Sequence, residues 1–214
     1  MTPNATSFIK ANTVLIASPM VPEIPLWQAT EITPIWQATE QWMDENNIAP
    51  PFWAFAWPGS VAIARHILDN PSLVAGRRVL DFAAGCGLAA IACAKAGALT
   101  VEAAEIDPLA IVSINLNAAA NGVDIEASSG DIVGSACRWD LILCGDVCYE
   151  APMTGHIMPW LRRMAAMAEV WIADPSRNYL PPTGLTPFAD YTVPTSLELE
   201  DRPERKVVLY RLKS

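Results

Sequence analysis

From residue 58 onward, the apolar positions of this chain alternate between helical spacing and short unbroken runs. The segment Ser60-Val-Ala-Ile-Ala-Arg-His-Ile-Leu-Asp69 repeats its apolar residues three and four apart behind a candidate Ser60 cap, which predicts a helix. His66 on that helix is expected to be structural. The run Arg77-Arg-Val-Leu-Asp-Phe82 then predicts a strand that ends in a glycine-rich turn, and the Ala-rich stretch 88–96 predicts a helix. The unit repeats: 99–104 as strand, 108–120 as helix with Asn121-Gly122 as its stop, and 123–127 as strand. Residues 139–144 follow as a fully buried strand with Trp139 in its core, 152–168 as helix and 169–173 as strand. Strands alternating with helices imply a parallel sheet wrapped on both faces. The tail differs, because 191–199 and 206–212 are consecutive extended runs. They are expected to pair as a terminal antiparallel hairpin on the sheet edge.

Residues 1–58 lack this regularity. They hold Trp27, Trp36, Trp42, Trp53 and Trp57, five of the eight tryptophans, with many prolines. The reading is an N-terminal Trp-rich extension before a domain spanning 59–214. The extension is expected to act as a lid, to dock a substrate, or simply to pack against the sheet. Within it Leu26-Trp-Gln-Ala-Thr-Glu31 recurs as Ile35-Trp-Gln-Ala-Thr-Glu40. Two copies cannot build a solenoid, so a local duplication or coincidence is the expectation.

Composition adds limits. A chain of 214 residues with 52% hydrophobic and 17% charged residues can bury roughly 70% of its unfolded surface without disulfides or metal. The net charge of -9 leaves no basic stripe to neutralise phosphates, which argues against nucleic-acid binding and against anionic membrane surfaces. No signal peptide or apolar membrane span is apparent, and a soluble, cytoplasmic, monomeric protein is expected. Five cysteines without CxxC spacing (Cys86, Cys93, Cys137, Cys144 and Cys148) are expected to be reduced core residues. Cys144 and Cys148 with His156 lack a fourth ligand, so no metal is expected. The acids are unevenly placed: residues 101–157 hold nine of them and the single base Arg138, hence eight of the nine net negative charges.

Ligands of open α/β sheets sit outside the carboxyl ends of the strands. At those ends stand Asp81 with Gly85-Cys86-Gly87, Glu105 with Asp107, Gly130-Asp131, Gly145-Asp146-Val-Cys-Tyr149, and Asp174-Pro-Ser-Arg177. The segment Gly85-Cys-Gly-Leu-Ala-Ala90, with Glu105 downstream, also fits a dinucleotide pattern. Asp81 is the discriminator. A carboxylate aimed into that turn would repel a pyrophosphate and attract a cationic ligand, and S-adenosylmethionine suits it better than a nicotinamide dinucleotide.

At these residues the chain resembles a known group. Val79-Leu-Asp-Phe-Ala-Ala-Gly-Cys-Gly87 is similar to the first motif of the seven-stranded S-adenosylmethionine-dependent methyltransferases. Pro51-Phe-Trp-Ala-Phe-Ala-Trp-Pro-Gly59 and Gly145-Asp-Val-Cys-Tyr149, the latter of Asp-x-x-Tyr form, resemble the lysine-methyltransferase branch called family 16. With Pro22-Glu-Ile-Pro-Leu26 and Asp174-Pro-Ser-Arg177, the resemblance is closest to the electron transfer flavoprotein β-subunit lysine methyltransferases and their bacterial relatives, over roughly residues 22–212. It implies a seven-stranded, doubly wound, Rossmann-like methyltransferase sheet.

Position by position, the resemblance implies that Asp81 and the Gly85, Cys86, Gly87 turn hold the methionine end of the cofactor. Glu105 would take the ribose hydroxyls, Asp131 and Ile132 the adenine edge, Trp57 would lie against the cofactor, and Gly145 would line the pocket beside Asp146. Ala83 departs from the family, where glycine is common, and would be strained if that position were left-handed. Asp146 and Tyr149 are the expected catalytic pair. Asp146 would bind and orient a lysine amine, and Tyr149 would border its channel with a hydroxyl and a cation-π face. The structural alternative is a carboxylate capping the following helix with an aromatic packed beneath it. Asp174 and Arg177 either touch substrate or order a loop.

The implied activity is methyl transfer from S-adenosylmethionine to a protein lysine, with the electron transfer flavoprotein β-subunit as the favoured protein substrate. A ribosomal-protein lysine or a small amine is the alternative, and a non-catalytic dinucleotide-binding module is a rival of another class.

Overall fold

The computed structural model describes residues 4–31, 33, 35, 50–195, 200 and 202–214. At its centre is a seven-stranded mixed sheet. Its strands are β3 (Arg78–Phe82), β4 (Thr100–Glu105), β5 (Glu126–Ser129), β6 (Leu141–Gly145), β7 (Glu169–Asp174), β8 (Leu185–Pro194) and β9 (Glu204–Leu212), in the order β5-β4-β3-β6-β7-β9-β8. Strands β5 to β7 in that order pair in parallel, whereas β9 is antiparallel to both β7 and β8. The order reverses between β3 and β6, which opens a crevice at their carboxyl ends.

The two-residue period of the strands explains the layers. Val79, Leu141, Leu143, Trp171 and Ala173 face one core, together with Ile63 and Ile67 of helix α2 (Pro58–Asp69) and Leu88 and Ile91 of helix α3 (Leu88–Lys95). Leu80, Phe82, Ile142, Cys144 and Ile172 face the opposite core, filled by Ile157, Trp160, Leu161 and Met164 of helix α5 (Ala151–Met164). Helix α4 (Pro108–Asn121) adds Ile114 to the first core and stops at Gly122 in a left-handed C-cap, where the Asn-Gly pair predicts a stop.

His66 is structural. Its Nδ1 lies 2.9 Å from the Tyr191 hydroxyl and its ring meets Trp171 and Phe188 edge-on. Trp139 is buried, and its indole N–H donates to Glu102 at 2.8 Å. Glu102 therefore belongs to the fold, paired also with Arg138 at 2.6 Å, and Asp140 pairs with Arg78 at 2.7 Å near the amino ends of the strands. The five cysteines are unpaired and four are buried.

Several details differ from the sequence expectations: Trp139 lies just ahead of β6 rather than within it, and α5 ends at Met164. Helix α2 starts at Pro58, with Trp57 as its N-cap, so Ser60 is inside the helix. Pro58 fits because a first-turn proline forfeits no helical hydrogen bond. Strand β8 begins at Leu185, ahead of the expected 191. Pro187 disguises it, yet an edge strand tolerates proline, here beside a register shift between Pro187 and Ala189. Strand β5 covers 126–129, later than expected.

Of the extension, some described parts pack on α4, and Val21, Ile24 and Leu26 join the first core. Helix α1 (Ala5–Asn12) and the antiparallel pair β1 (Val14–Ala17) and β2 (Pro25–Gln28) precede a short turn at Phe52–Ala54. Ile9, Ala29, Ile35, Trp53 and Ala54 form a small core with Ala110 of α4. The second copy of the repeat beyond Ile35, with Trp36, lies outside the described residues, as does Trp42.

Asn117 on α4 ties this layer down. Fully buried, it accepts from the Trp27 N–H at 2.7 Å and donates to the Cys86 carbonyl at 2.9 Å. Replacing it strands both backbone groups in a place water cannot reach. Asn117→Ala is expected to cost about 1–3 kcal/mol in urea unfolding, and an unchanged midpoint would show that the extension is not anchored there.

Candidate active site

A cavity of about 720 Å³ opens at the carboxyl ends of β3, β4 and β6. That volume lies within the usual range for small-molecule sites. Of the sequence-derived positions, Trp57, Gly85, Glu105, Asp131, Ile132, Gly145, Asp146 and Tyr149 line it. Asp81, Cys86 and Gly87 do not appear on its wall.

Asp81 differs most from expectation. Its neighbours Leu80 and Phe82 point to the α5 face, so the strand alternation turns Asp81 to the α3 face. There its buried carboxylate accepts the Ala90 N–H at 2.9 Å, in the first turn of α3. Burial, with Glu105 nearby, pushes its pKa up to about 8. It thus braces the glycine turn from behind. Cys86 is also buried, its thiol raised to about 12 by burial, and Gly87 is the N-cap of α3.

Backbone strain is concentrated on this rim. Among the described residues three non-glycine residues have positive φ: Ala83 (55°), Asp146 (57°) and Ser176 (69°). They sit just beyond β3, β6 and β7, three adjacent strands. The left-handed Ala83 is the strained substitution that the family departure anticipates. Such conformations persist where surrounding structure holds them, typically at binding sites.

Glu105 ends β4 and folds back on the turn: Oε2 accepts the Gly85 N–H at 3.1 Å and Oε1 the Ile106 N–H at 2.6 Å. Asp107 caps α4 through the Leu109 N–H at 2.8 Å. Asp131 accepts the Val133 N–H at 2.9 Å and lies 2.7 Å from His156 Nε2; these contacts, the backbone one foremost, hold its pKa below the usual carboxylate range. Ile106, Ile132 and Val133 supply apolar wall. An acid beside the turn, an acid at the far end and apolar wall between them form a set of acceptors and apolar surface suited to a nucleoside.

Asp146 is held from two sides. Its Oδ2 accepts the Gly59 N–H in the first turn of α2, a short contact, and Oδ1 accepts Arg177 Nη2 at 2.8 Å and Nε at 3.2 Å. The carboxylate does cap a helix, but α2 rather than the α5 that follows it. Burial pushes its pKa up to about 6, against the pull of Arg177 and the Gly59 N–H. Arg177, which sequence reasoning left between substrate contact and loop ordering, also donates to Glu200 at 2.6 Å, and Glu200 pairs in turn with Arg205 at 2.8 Å. The loop role of Asp174 is visible too: Oδ1 accepts the Arg177 N–H at 2.6 Å, and burial raises its pKa.

Close approach of α2 makes this cap possible. A Cβ at Gly59 would lie 2.7 Å from the Ala173 carbonyl oxygen and 2.7 Å from the Asp146 nitrogen, and one at Gly145 would lie 2.7 Å from Ser60 Oγ. At the mouth, Tyr149 is partly exposed, its ring 5.6 Å from Phe52, which stands 5.9 Å from Trp57. Burial, then Glu150 and Glu105, raise the Tyr149 pKa, so its hydroxyl stays protonated at neutral pH. Phe52 and Gly59 were quoted in the sequence only as motif members, and Glu200 carried no signal.

Known proteins resemble this chain along most of its length. The ribosomal protein L11 methyltransferase (PrmA) family profile matches residues 64–145. The electron transfer flavoprotein beta subunit lysine methyltransferase of Xenopus laevis is 36% identical over 203 residues, covering 91% of this chain and 81% of that protein. Its Homo sapiens counterpart is 33% identical over 183 residues, covering 82% and 68%. Among solved structures, magnesium protoporphyrin IX methyltransferase from Synechocystis with bound SAM has a TM-score of 0.55 at 17% identity, covering 72% of this chain and 78% of that one. Ribosomal protein L11 methylase from Lactobacillus delbrueckii has 0.52 at 19% identity, covering 75% and 81%. At such identities these structures establish the fold alone.

Two outcomes check this site. Gly59→Ala forces α2 away from Asp146 and is expected to cost about 1–3 kcal/mol of stability; wild-type thermal unfolding would contradict the close packing. Asp81 has a folded pKa raised from 3.8 to about 8, so its neutral form stabilises the fold fully below about pH 4, and this contribution fades as pH rises through about 8. Asp81→Asn keeps an acceptor for Ala90, so its stability relative to wild type should climb between pH 5 and 8; parallel urea curves at both pH values would refute the burial account.

Proposed function

The chain belongs to the electron transfer flavoprotein β-subunit lysine methyltransferase family, and on that premise we propose that it transfers methyl groups from S-adenosylmethionine to lysine side chains of the electron transfer flavoprotein β-subunit. The observation that carries the reading is the buried Asp146 carboxylate, held by Gly59 and Arg177 on the cavity wall beside Tyr149.

Glu105 would hold the ribose hydroxyls, Asp131 and Ile132 the adenine edge, and Trp57, Gly85 and Gly145 the walls around them, with Asp81, Cys86 and Gly87 shaping the turn from behind. When bound, S-adenosylmethionine would supply an electrophilic methyl group to a neutral amine that has given its proton to water, and would leave as the neutral thioether. The protein's part is binding and orientation. Asp146 accepts a hydrogen bond from the amine and fixes its direction, which is worth large factors when reacting atoms must be aligned. Tyr149, with Phe52 and Trp57, gives the alkyl stem an aromatic border. Glu105, Asp107, Asp131 and Glu150 on the cavity wall attract cationic groups.

The match at 64–145 favours a ribosomal-protein lysine as a second reading, but it stops short of the Arg177 loop and bears on the cofactor side more than on the substrate. The acidic charge supports a protein substrate over a nucleic acid. Unpaired cysteines support a cytoplasmic setting. No helix among the described residues is long and apolar enough to cross a membrane. The end of the extension at Phe52 and Trp57, which borders the mouth, would serve as the docking side.

Incubating the protein with the flavoprotein β-subunit and labelled cofactor should place label on lysine, mapped by mass spectrometry. Asp146→Asn should keep calorimetric S-adenosylhomocysteine binding and lose transfer by about 100-fold or more. Label confined to arginine or small molecules, or full transfer by that variant, would sink the reading.

A further inference from the structure

A lysine amine attacks only when neutral, and at a reference pKa of about 10.4 it arrives protonated. A lone buried carboxylate would keep it so, since an opposite charge favours the ammonium. Asp146 is not alone. Both Arg177 contacts fall on its Oδ1, at 2.8 and 3.2 Å, while Oδ2 accepts the Gly59 N–H and retains acceptor capacity. The guanidinium is fixed from its far side by Glu200, at 2.6 and 3.2 Å, and Glu200 is itself neutralised by Arg205 at 2.8 Å.

We propose that Arg177 is a positioning residue for the transfer: it cancels the charge of Asp146 while aiming its carboxylate, so that the site orients a lysine amine without stabilising its protonated form. The proposal rests on the lysine-methyltransferase reading above. An uncompensated acid would bind lysine well and hold it unreactive, whereas the Asp146–Arg177 pair offers a directed acceptor of nearly zero net charge.

The surrounding groups permit this. Asp174, behind Arg177, is biased toward its neutral form by burial. Cys148 and Tyr149 stay protonated, their pKa values raised by burial first. Tyr210, across from Ile172 and within electrostatic reach of Asp174, is likewise raised by burial. From α2 only the Gly59 N–H reaches the carboxylate. Arg177 is the cation in contact with Asp146 among the described residues, and its own pKa is raised, pairing with Glu200 and Asp146 overriding the opposing effect of burial.

The test is the pH dependence of kcat at saturating flavoprotein β-subunit, which reports ionisations in the substrate complex, with S-adenosylhomocysteine binding measured by calorimetry. Arg177→Met should move the acidic limb up by about one pH unit and leave cofactor affinity within about twofold. Arg177→Lys, which restores a positive charge, should bring the limb back toward wild type. Glu200→Gln removes a negative charge instead and should shift the limb to lower pH. A limb unmoved by Arg177→Met in a folded, cofactor-binding protein overturns the proposal. If Arg177→Met does not fold, Glu200→Gln decides: an unmoved or upward-shifted limb overturns it equally. A wild-type protein that binds cofactor but methylates no lysine would instead overturn the reading beneath it.

Discussion

A carboxylate taken out of water must be paired, and the rim of this molecule is organised around pairing Asp146. The residue directly follows β6 with a positive φ, and its side chain reaches back toward the first turn of α2. The partial positive charge of that helix end answers half the need, and Arg177 answers the rest. Each partner imposes its own condition. The α2 contact requires glycine at 59 and 145; the Arg177 contact requires the tight loop after β7, held by Asp174 and by a left-handed Ser176. Glu200 and Arg205 extend the pairing to the terminal hairpin, so the sheet edge participates in the site.

The cofactor side follows a similar logic at lower cost. Asp81 is buried and largely neutral, and it works on the backbone of α3 rather than on a ligand. Glu105 is the acid that reaches the cavity, already hydrogen-bonded to the turn at Gly85. Asn117 links that turn to the N-terminal layer through Cys86 and Trp27, so extension, turn and cavity mouth are one mechanical unit.

Much of this was legible in the sequence because it is local. Apolar runs bounded by glycine and asparagine marked the parallel strands and helices, and the terminal hairpin followed from two consecutive extended runs. The motif residues Trp57, Glu105, Asp131, Gly145, Asp146 and Tyr149 do meet at one cavity. What escaped is non-local or orientational. The Asp146–Gly59 bond spans 87 positions and the Arg177–Asp146 pair 31, and no periodicity announces either. Pro187 hid the start of β8 because a proline reads as an interruption unless the strand is known to be an edge. The direction of Asp81 was available in principle: its place between Leu80 and Phe82 sets it on the opposite face, but the motif drew attention to the turn instead.

The claim that joins these observations is that Asp146 receives the substrate amine while remaining paired with Arg177. The most direct measurement is a crystal structure of the protein with S-adenosylhomocysteine and the electron transfer flavoprotein β-subunit. A lysine Nζ about 3 Å from Asp146, with Arg177 still bridging Asp146 and Glu200, is the predicted result. A lysine bound away from Asp146, leaving that carboxylate only the Gly59 N–H and Arg177 as partners, would contradict it.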